Sequence, residues 1–197
     1  LIDHAWGYES CTMEDIKAYQ PEAKSIGTGQ VLSAPYPFDK ARLVMKEMID
    51  ALALDLVDKQ LMTNQLTITV SYDKENLATN TYKGPVTVDM FGRKKPKHTK
   101  GTVNLDRYTS SSFLMRKAVM QWFDSHVDRN LTVRRFNISA NRVLPETSML
   151  YQENMQQLDL FTDYTNVNEE EEKLKAQLER EKRLQQVTLT IKKKYGK

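Results

Sequence analysis

Between residues 63 and 73 the chain alternates strictly, with Leu66, Ile68, Val70 and Tyr72 in one parity and Thr67, Thr69 and Ser71 in the other. A period of two marks a strand that is buried on one side and wet on the other, because successive side chains leave opposite faces of a sheet. The fold must therefore cover the apolar side and leave the hydroxyl side open. Residues 38–60 supply a cover: Ala41, Val44, Met45, Met48, Leu52 and Leu56 recur at helical spacing, after a Pro35-Tyr36-Pro37 stretch suited to a helix start.

The remaining elements fall around this pair. Residues 24–33, Lys-Ser-Ile-Gly-Thr-Gly-Gln-Val-Leu-Ser, read as a first strand whose glycines let another backbone approach closely. A strand over Lys100–Arg107 places Val103 and Leu105 inward and Thr102 and Asn104 outward. Thr109, Ser110, Ser111 and Ser112 then offer N-caps for a helix with Leu114, Ala118, Trp122, Phe123 and Val127 on its buried side. In the last strand, 131–143, Leu131 and Val133 share one parity while Phe136, Ile138 and Ala140 share the other, so a bulge is expected near Arg134 and Arg135. The expected fold class is α+β: a four-stranded, mainly antiparallel sheet in the order of elements β-α-β-β-α-β, both helices on one face, followed by an extended or helical tail.

Residues 74–98 form a polar insertion or long hairpin, with Val86, Val88 and Met90 as a possible extra strand and cations at Lys83, Arg93, Lys94, Lys95 and Lys97. From Asn168 a run of Glu, Lys, Gln and Arg with Leu174, Leu178 and Leu184 as a thin stripe predicts a solvated, charged helical tail. The first 20 residues read as the last turns of a helix ending near Gly7, then a polar linker; opening on Leu1, they imply further chain upstream.

Charge alone decides little: 29 Lys and Arg against 26 acids give +3, so any basic surface must come from distribution. A single cysteine, Cys11, excludes an internal disulfide, and with no apolar run of membrane length the expected setting is cytoplasmic. His4, His98 and His126 fit no zinc spacing, and no phosphate-binding glycine loop is present. No catalytic residue, metal or cofactor is expected in this chain.

The open strand faces are the informative surface. Thr67, Thr69, Ser71, Thr102, Asn104 and Asn137, flanked by Lys24, Arg134 and Arg135, offer hydroxyl, amide and cationic donors suited to a sugar-phosphate backbone. Adjacent guanidinium forks suit phosphate oxygens and are awkward to bury.

Lys24-Ser25-Ile26-Gly27, the helix and strand pair that follows, and Val133-Arg134-Arg135-Phe136 together resemble the little-finger domain of Y-family lesion-bypass DNA polymerases, closest to the SOS-mutagenesis type of Gram-positive bacteria. Leu1–Tyr19, with Trp6-Gly7-Tyr8-Glu9, resembles the end of their thumb domain and its tether. The resemblance implies a division into thumb end and linker (1–20), little-finger DNA-binding domain (21–146), clamp-binding linker (147–167) and charged helical tail (168–197). It further implies that Lys24, Ser25, Ile26, Gly27 and Thr28, then Thr67, Thr69 and Ser71, then Lys100, Thr102 and Asn104, then Arg134, Arg135 and Asn137 line primer-template DNA. Polymerase activity, with its Mg2+ and deoxynucleoside triphosphates, would belong to the palm of a parent protein.

Gln157-Leu158-Asp159-Leu160-Phe161 resembles the peptide that bacterial polymerases insert into the replication sliding clamp, the glutamine anchoring by its amide and the apolar residues filling a pocket. Two rival functions remain at this stage. One is a nuclease or transferase using Asp50, Asp55 and Asp58; the other is an RNA-binding or protein-interaction module, which would expose an aromatic such as Tyr72 or Tyr82 beside the sheet.

Overall fold

A computed structural model describes residues 5–7, 11–19, 25–78, 82–148 and 164–196. In chain order the elements are α1 (Met13–Ala18), β1 (Ile26–Tyr36), α2 (Phe38–Asp58), β2 (Leu61–Tyr72), β3 (Val86–Val88), β4 (Lys94–Pro96), β5 (Thr99–Thr109), α3 (Ser112–His126), β6 (Val133–Asn141), β7 (Leu144–Pro145) and α4 (Tyr164–Tyr195). The main sheet runs β1-β6-β2-β5 with every pairing antiparallel, and β7 joins the start of β2. β3 and β4 form a separate hairpin inside the insertion.

The alternation in β2 fixes which side of the sheet is covered. Leu66, Ile68 and Val70 stand beside Ala140, Ile138 and Phe136 of β6, all of them fully buried. Against them α2 lays Ala41, Met45, Ile49 and Leu56, and α3 lays Met115, Val119 and Phe123. The Phe38 and Phe123 rings meet at 5.3 Å between the two helices. Both helices therefore lie on one face, as the expected α+β architecture requires, and the sheet's other face is left uncovered by them.

Two ion pairs bridge the helices. Arg42 donates through two nitrogens to Asp124 at 2.7 and 2.8 Å, and Arg116 donates to Asp50 at 2.7 Å. The Arg42 hydrogen bond holds the Asp124 carboxyl below the usual carboxylate range. Both pairs are partly solvated, so each adds at most about 1 kcal/mol and mainly sets helix register.

The bulge predicted in the last strand is present. Arg135 pairs with Ser71 and Val133 with Tyr72, so Arg134 is the extra residue between them. That one insertion lets Val133 and Phe136 point to the same core.

Three expectations are corrected. The N-terminal linker contains the short helix α1, closed by a capping box in which Thr12 and Asp15 bond each other's backbone N–H. In α3 the fully buried stripe is Met115, Val119 and Phe123, while Leu114, Ala118 and Trp122 are only half-buried, because this second row faces β5 at the sheet edge. The tail is not a solvated helix without a partner. On α4, Glu181 accepts from the Ser111 and Ser112 hydroxyls and from Phe113 N–H, and the buried Gln185 donates to the Ser110 carbonyl. Lys182 pairs with Glu146 and Lys193 with Asp58. Leu184, part of the predicted stripe, is exposed, and Gln185 takes its place on the docked face.

Truncating Ile138 to Ala removes a fully buried side chain from the central pair of strands. It should cost about 2–5 kcal/mol, read as a lower urea midpoint at unchanged m-value. Glu181→Ala should instead speed hydrogen exchange along α4 while leaving β2 and β6 amides protected.

Candidate nucleic-acid interface

Register places the open-face residues in rows across the strands. One row is Gly27, Ser139, Thr67 and Thr102; the next is Gly29, Asn137, Thr69 and Lys100. Beyond them lie Val31, Arg135 and Ser71 at one end, and Asn141, Gln65 and Asn104 at the other. These rows contain hydroxyls, amides, two cations and no carboxylate. Asp106, exposed further along β5, is the nearest acid in sequence beyond Asn104.

The side chains brace one another without closing the surface. Gln65 Nε2 donates to Asn104 Oδ1 at 2.9 Å, and Asn141 Nδ2 donates to Thr67 Oγ1 at 2.8 Å. The Thr67 and Thr102 hydroxyls lie 3.3 Å apart. Such cross-strand bonds hold donors at fixed spacing while Lys100, Thr102, Asn104, Arg135 and Asn137 remain exposed. On the β1 side two rows end in glycine and the third in the exposed Val31; a Cβ would come within 3.0 Å of Ser139 Cβ at Gly27 and 3.1 Å of Asn137 Oδ1 at Gly29. Glycine at these two positions lets the Ser139 and Asn137 side chains of β6 pack directly against the β1 backbone.

The expected contact residues divide by parity and by partner. Thr67, Thr69, Ser71, Lys100, Thr102, Asn104, Arg135, Asn137 and Gly27 share the open face, and Ser25 is exposed just before β1. Ile26 and Thr28 do not: they pair with Ala140 and Ile138, which places them on the helix side, half-buried. The expectation treated a run of five consecutive residues as one surface, whereas a strand alternates. Lys24 lies outside the described residues, as does the whole of Gln157, Leu158, Asp159, Leu160 and Phe161.

The double arginine also splits. Arg134, in the bulge, donates to the Ser33 carbonyl at 3.1 Å and lies 3.7 Å from the largely buried carboxylate of Asp73. Its guanidinium is engaged in structure. Arg135 is exposed on the open face and makes no ion pair among the described residues.

Sequence reasoning missed Gln65, Ser139 and Asn141, although Ser139 and Asn141 simply continue the parity of Asn137. It also left the insertion unplaced. The β3–β4 hairpin stands at the Ser71 end of the sheet, and a cleft of about 540 Å³ between them is lined by Val31, Ser71, Arg135, Arg93, Lys94 and Lys95.

The rival sites do not assemble. Asp50 pairs with Arg116, Asp55 with Lys59 and Asp58 with Lys193, all on the helix side. Among the described residues there is no group of His, Cys, Asp or Glu fit to hold a metal, and no helix long and apolar enough to cross a membrane. Tyr72 is buried, its hydroxyl bonded to Thr99 and Asp128 N–H, and Tyr82 is half-buried with its hydroxyl on the Pro85 carbonyl. Neither gives the sheet a stacking platform.

Replacing Arg134 by Ala should lower thermal stability by about 1 kcal/mol, because Asp73 is left without its cation. Arg135→Ala should leave the melting curve unchanged.

Residues 23–160 match the impB/mucB/samB family C-terminal domain. No curated protein matches the chain. A chain of a solved complex of beta-clamp processivity factor and the little finger domain of PolIV is similar at a TM-score of 0.41 and 9% identity, over 71% of this chain and 100% of that one.

Proposed function

The chain belongs to the impB/mucB/samB family C-terminal domain, the little-finger domain of Y-family polymerases, and on that premise we propose that it grips primer-template DNA by its backbone and docks a sliding clamp. The observation that carries the DNA reading is the uncovered sheet face, where Thr67, Thr102, Asn104, Asn137, Lys100 and Arg135 present donors and positive charge with no carboxylate among them. Hydroxyl, amide and cationic donors in a rigid grid bind phosphates irrespective of base sequence.

Nucleotide addition is assigned to other domains of a parent DNA polymerase working in lesion bypass and DNA repair, with Mg2+ and deoxynucleoside triphosphates bound there, in the bacterial cytoplasm. The little finger then contributes residence on DNA. Clamp docking rests on the sequence Gln157-Leu158-Asp159-Leu160-Phe161. A peptide of that kind raises the local concentration of a weakly binding enzyme at the primer end without any new DNA contact.

Fluorescence anisotropy with blunt duplex over a salt series tests the grip. Affinity should fall steeply with salt, and Arg135→Ala should weaken binding similarly for all sequences while reducing the logarithmic salt slope by about 1. Binding that is indifferent to salt would remove the proposal. Separately, Leu160→Ala with Phe161→Ala should abolish capture by immobilised sliding clamp and leave duplex binding unchanged.

A further inference from the structure

The tip of the β3–β4 hairpin exposes Met90 at 90% and Phe91 at 73% of their surface, on a turn that is firmly held. Asp89 Oδ1 accepts from Phe91 N–H at 2.9 Å and Arg93 N–H at 3.0 Å, Asp89 N–H donates to the Arg93 carbonyl at 3.0 Å, and Gly92 takes the positive φ of 73° that closes the loop. The Arg93 guanidinium completes the turn, bonding Asp89 at 2.9 Å and lying 4.9 Å from the Phe91 ring centre. The bonds from Arg93 and Phe91 hold the Asp89 carboxyl below the usual carboxylate range. Turn tips are ordinarily polar, so a pinned turn that displays a thioether and a phenyl ring calls for a ligand with an apolar face.

The cleft beside this tip supplies the rest of the recognition. Its cations Lys74, Lys94, Lys95 and Arg135 make no ion pair among the described residues; of the acids that line it, Asp89 and Asp73 are engaged by Arg93 and Arg134, which leaves the exposed Glu75 against four cations. The net free charge is thus positive, and the cleft runs from Ser71 on the open face to Arg93, whose guanidinium carries the Phe91 ring beside it. A ligand with an anionic group and a flat π surface fits these features together, and its volume of about 540 Å³ is within the range of single-ligand sites. Inside a paired duplex both faces of each base are already stacked, whereas an unpaired nucleotide can turn a face to a side chain away from the stack.

We propose that the hairpin holds an unpaired nucleotide next to the duplex, with its phosphate against Lys94, Lys95 and Arg135 and its base against Phe91 and Met90. The site rests on the duplex-gripping reading above and extends it: the sheet holds the paired rails, and the hairpin takes the strand where pairing ends. The open-face rows from Gln65 to Ser71 carry no aromatic residue, and the hairpin would supply the stacking element beside them.

The test uses the full chain and three labelled DNAs of equal duplex length: blunt, with a 5′ single-stranded overhang, and with a 3′ overhang. One overhang should bind about tenfold tighter than blunt duplex, the scale of one base stacking on an aromatic residue. Met90→Ala with Phe91→Ala should erase that gain and leave blunt binding intact, whereas Phe91→Tyr should keep it. Melting curves of both variants confirm that the hairpin change leaves the fold in place. Equal affinity for all three DNAs, a gain that survives the double alanine variant, or a loss shared equally by blunt duplex would each overturn the hairpin site while leaving the sheet's grip standing. Failure to bind blunt duplex would instead remove the underlying reading, and this one with it.

Discussion

One-sided burial of β2 and β6 is the constraint on which the other features depend. Leu66, Ile68, Val70, Phe136, Ile138 and Ala140 must all be dry, and α2 and α3 reach them from a single side. Because strand parity is strict, each residue buried there sends its neighbours to the opposite face. Hydroxyls and amides on that face are then the inexpensive choice: they are good or tolerated strand residues, they satisfy one another across strands as Gln65 and Asn104 do, and they stay hydrated until a ligand arrives. The open polar surface is in this sense the other side of the core's requirement.

The bulge at Arg134 shows how a single residue reconciles two demands. Without it Val133 and Phe136 would lie on opposite faces and the start of β6 would leave the core. With it Arg134 steps out of the ladder, finds Asp73 and the Ser33 carbonyl, and ties β6 to the end of β2 and to β1. Arg135 returns to the ladder on the open side, so the extra residue also decides which of the two arginines remains available for a phosphate.

Periodicity made most of the fold legible. The alternation of β2, the helical spacing of α2 and the parity conflict in β6 are local signals, and each corresponds to an observed element. What depended on distant contacts was harder. That Thr28 faces the helices follows from its pairing with Ile138, and the glycines around it mask the alternation that would have revealed this. The buried stripe of α3 is rotated because β5 is an edge strand, a fact of sheet order absent from the helix's own sequence. The tail helix has too few apolar residues to betray a docked face, since its anchors are Glu181 and Gln185, polar side chains that meet the N-terminus of α3.

That polar docking bears on how a clamp-binding peptide would work. The dipole and free N–H groups at the start of α3 favour an anion, and Glu181 supplies one from a helix otherwise rich in charge. Lys182 meanwhile fastens α4 to Glu146, next to β7. The chain on both sides of Gln157–Phe161 is therefore fixed to the same domain, with β7 ending at Pro145 and α4 beginning at Tyr164. Under the proposed clamp docking, the effective concentration of that peptide at a clamp would depend on how the domain sits on DNA, so a mutation that frees α4 would change tethering without touching the peptide or the sheet.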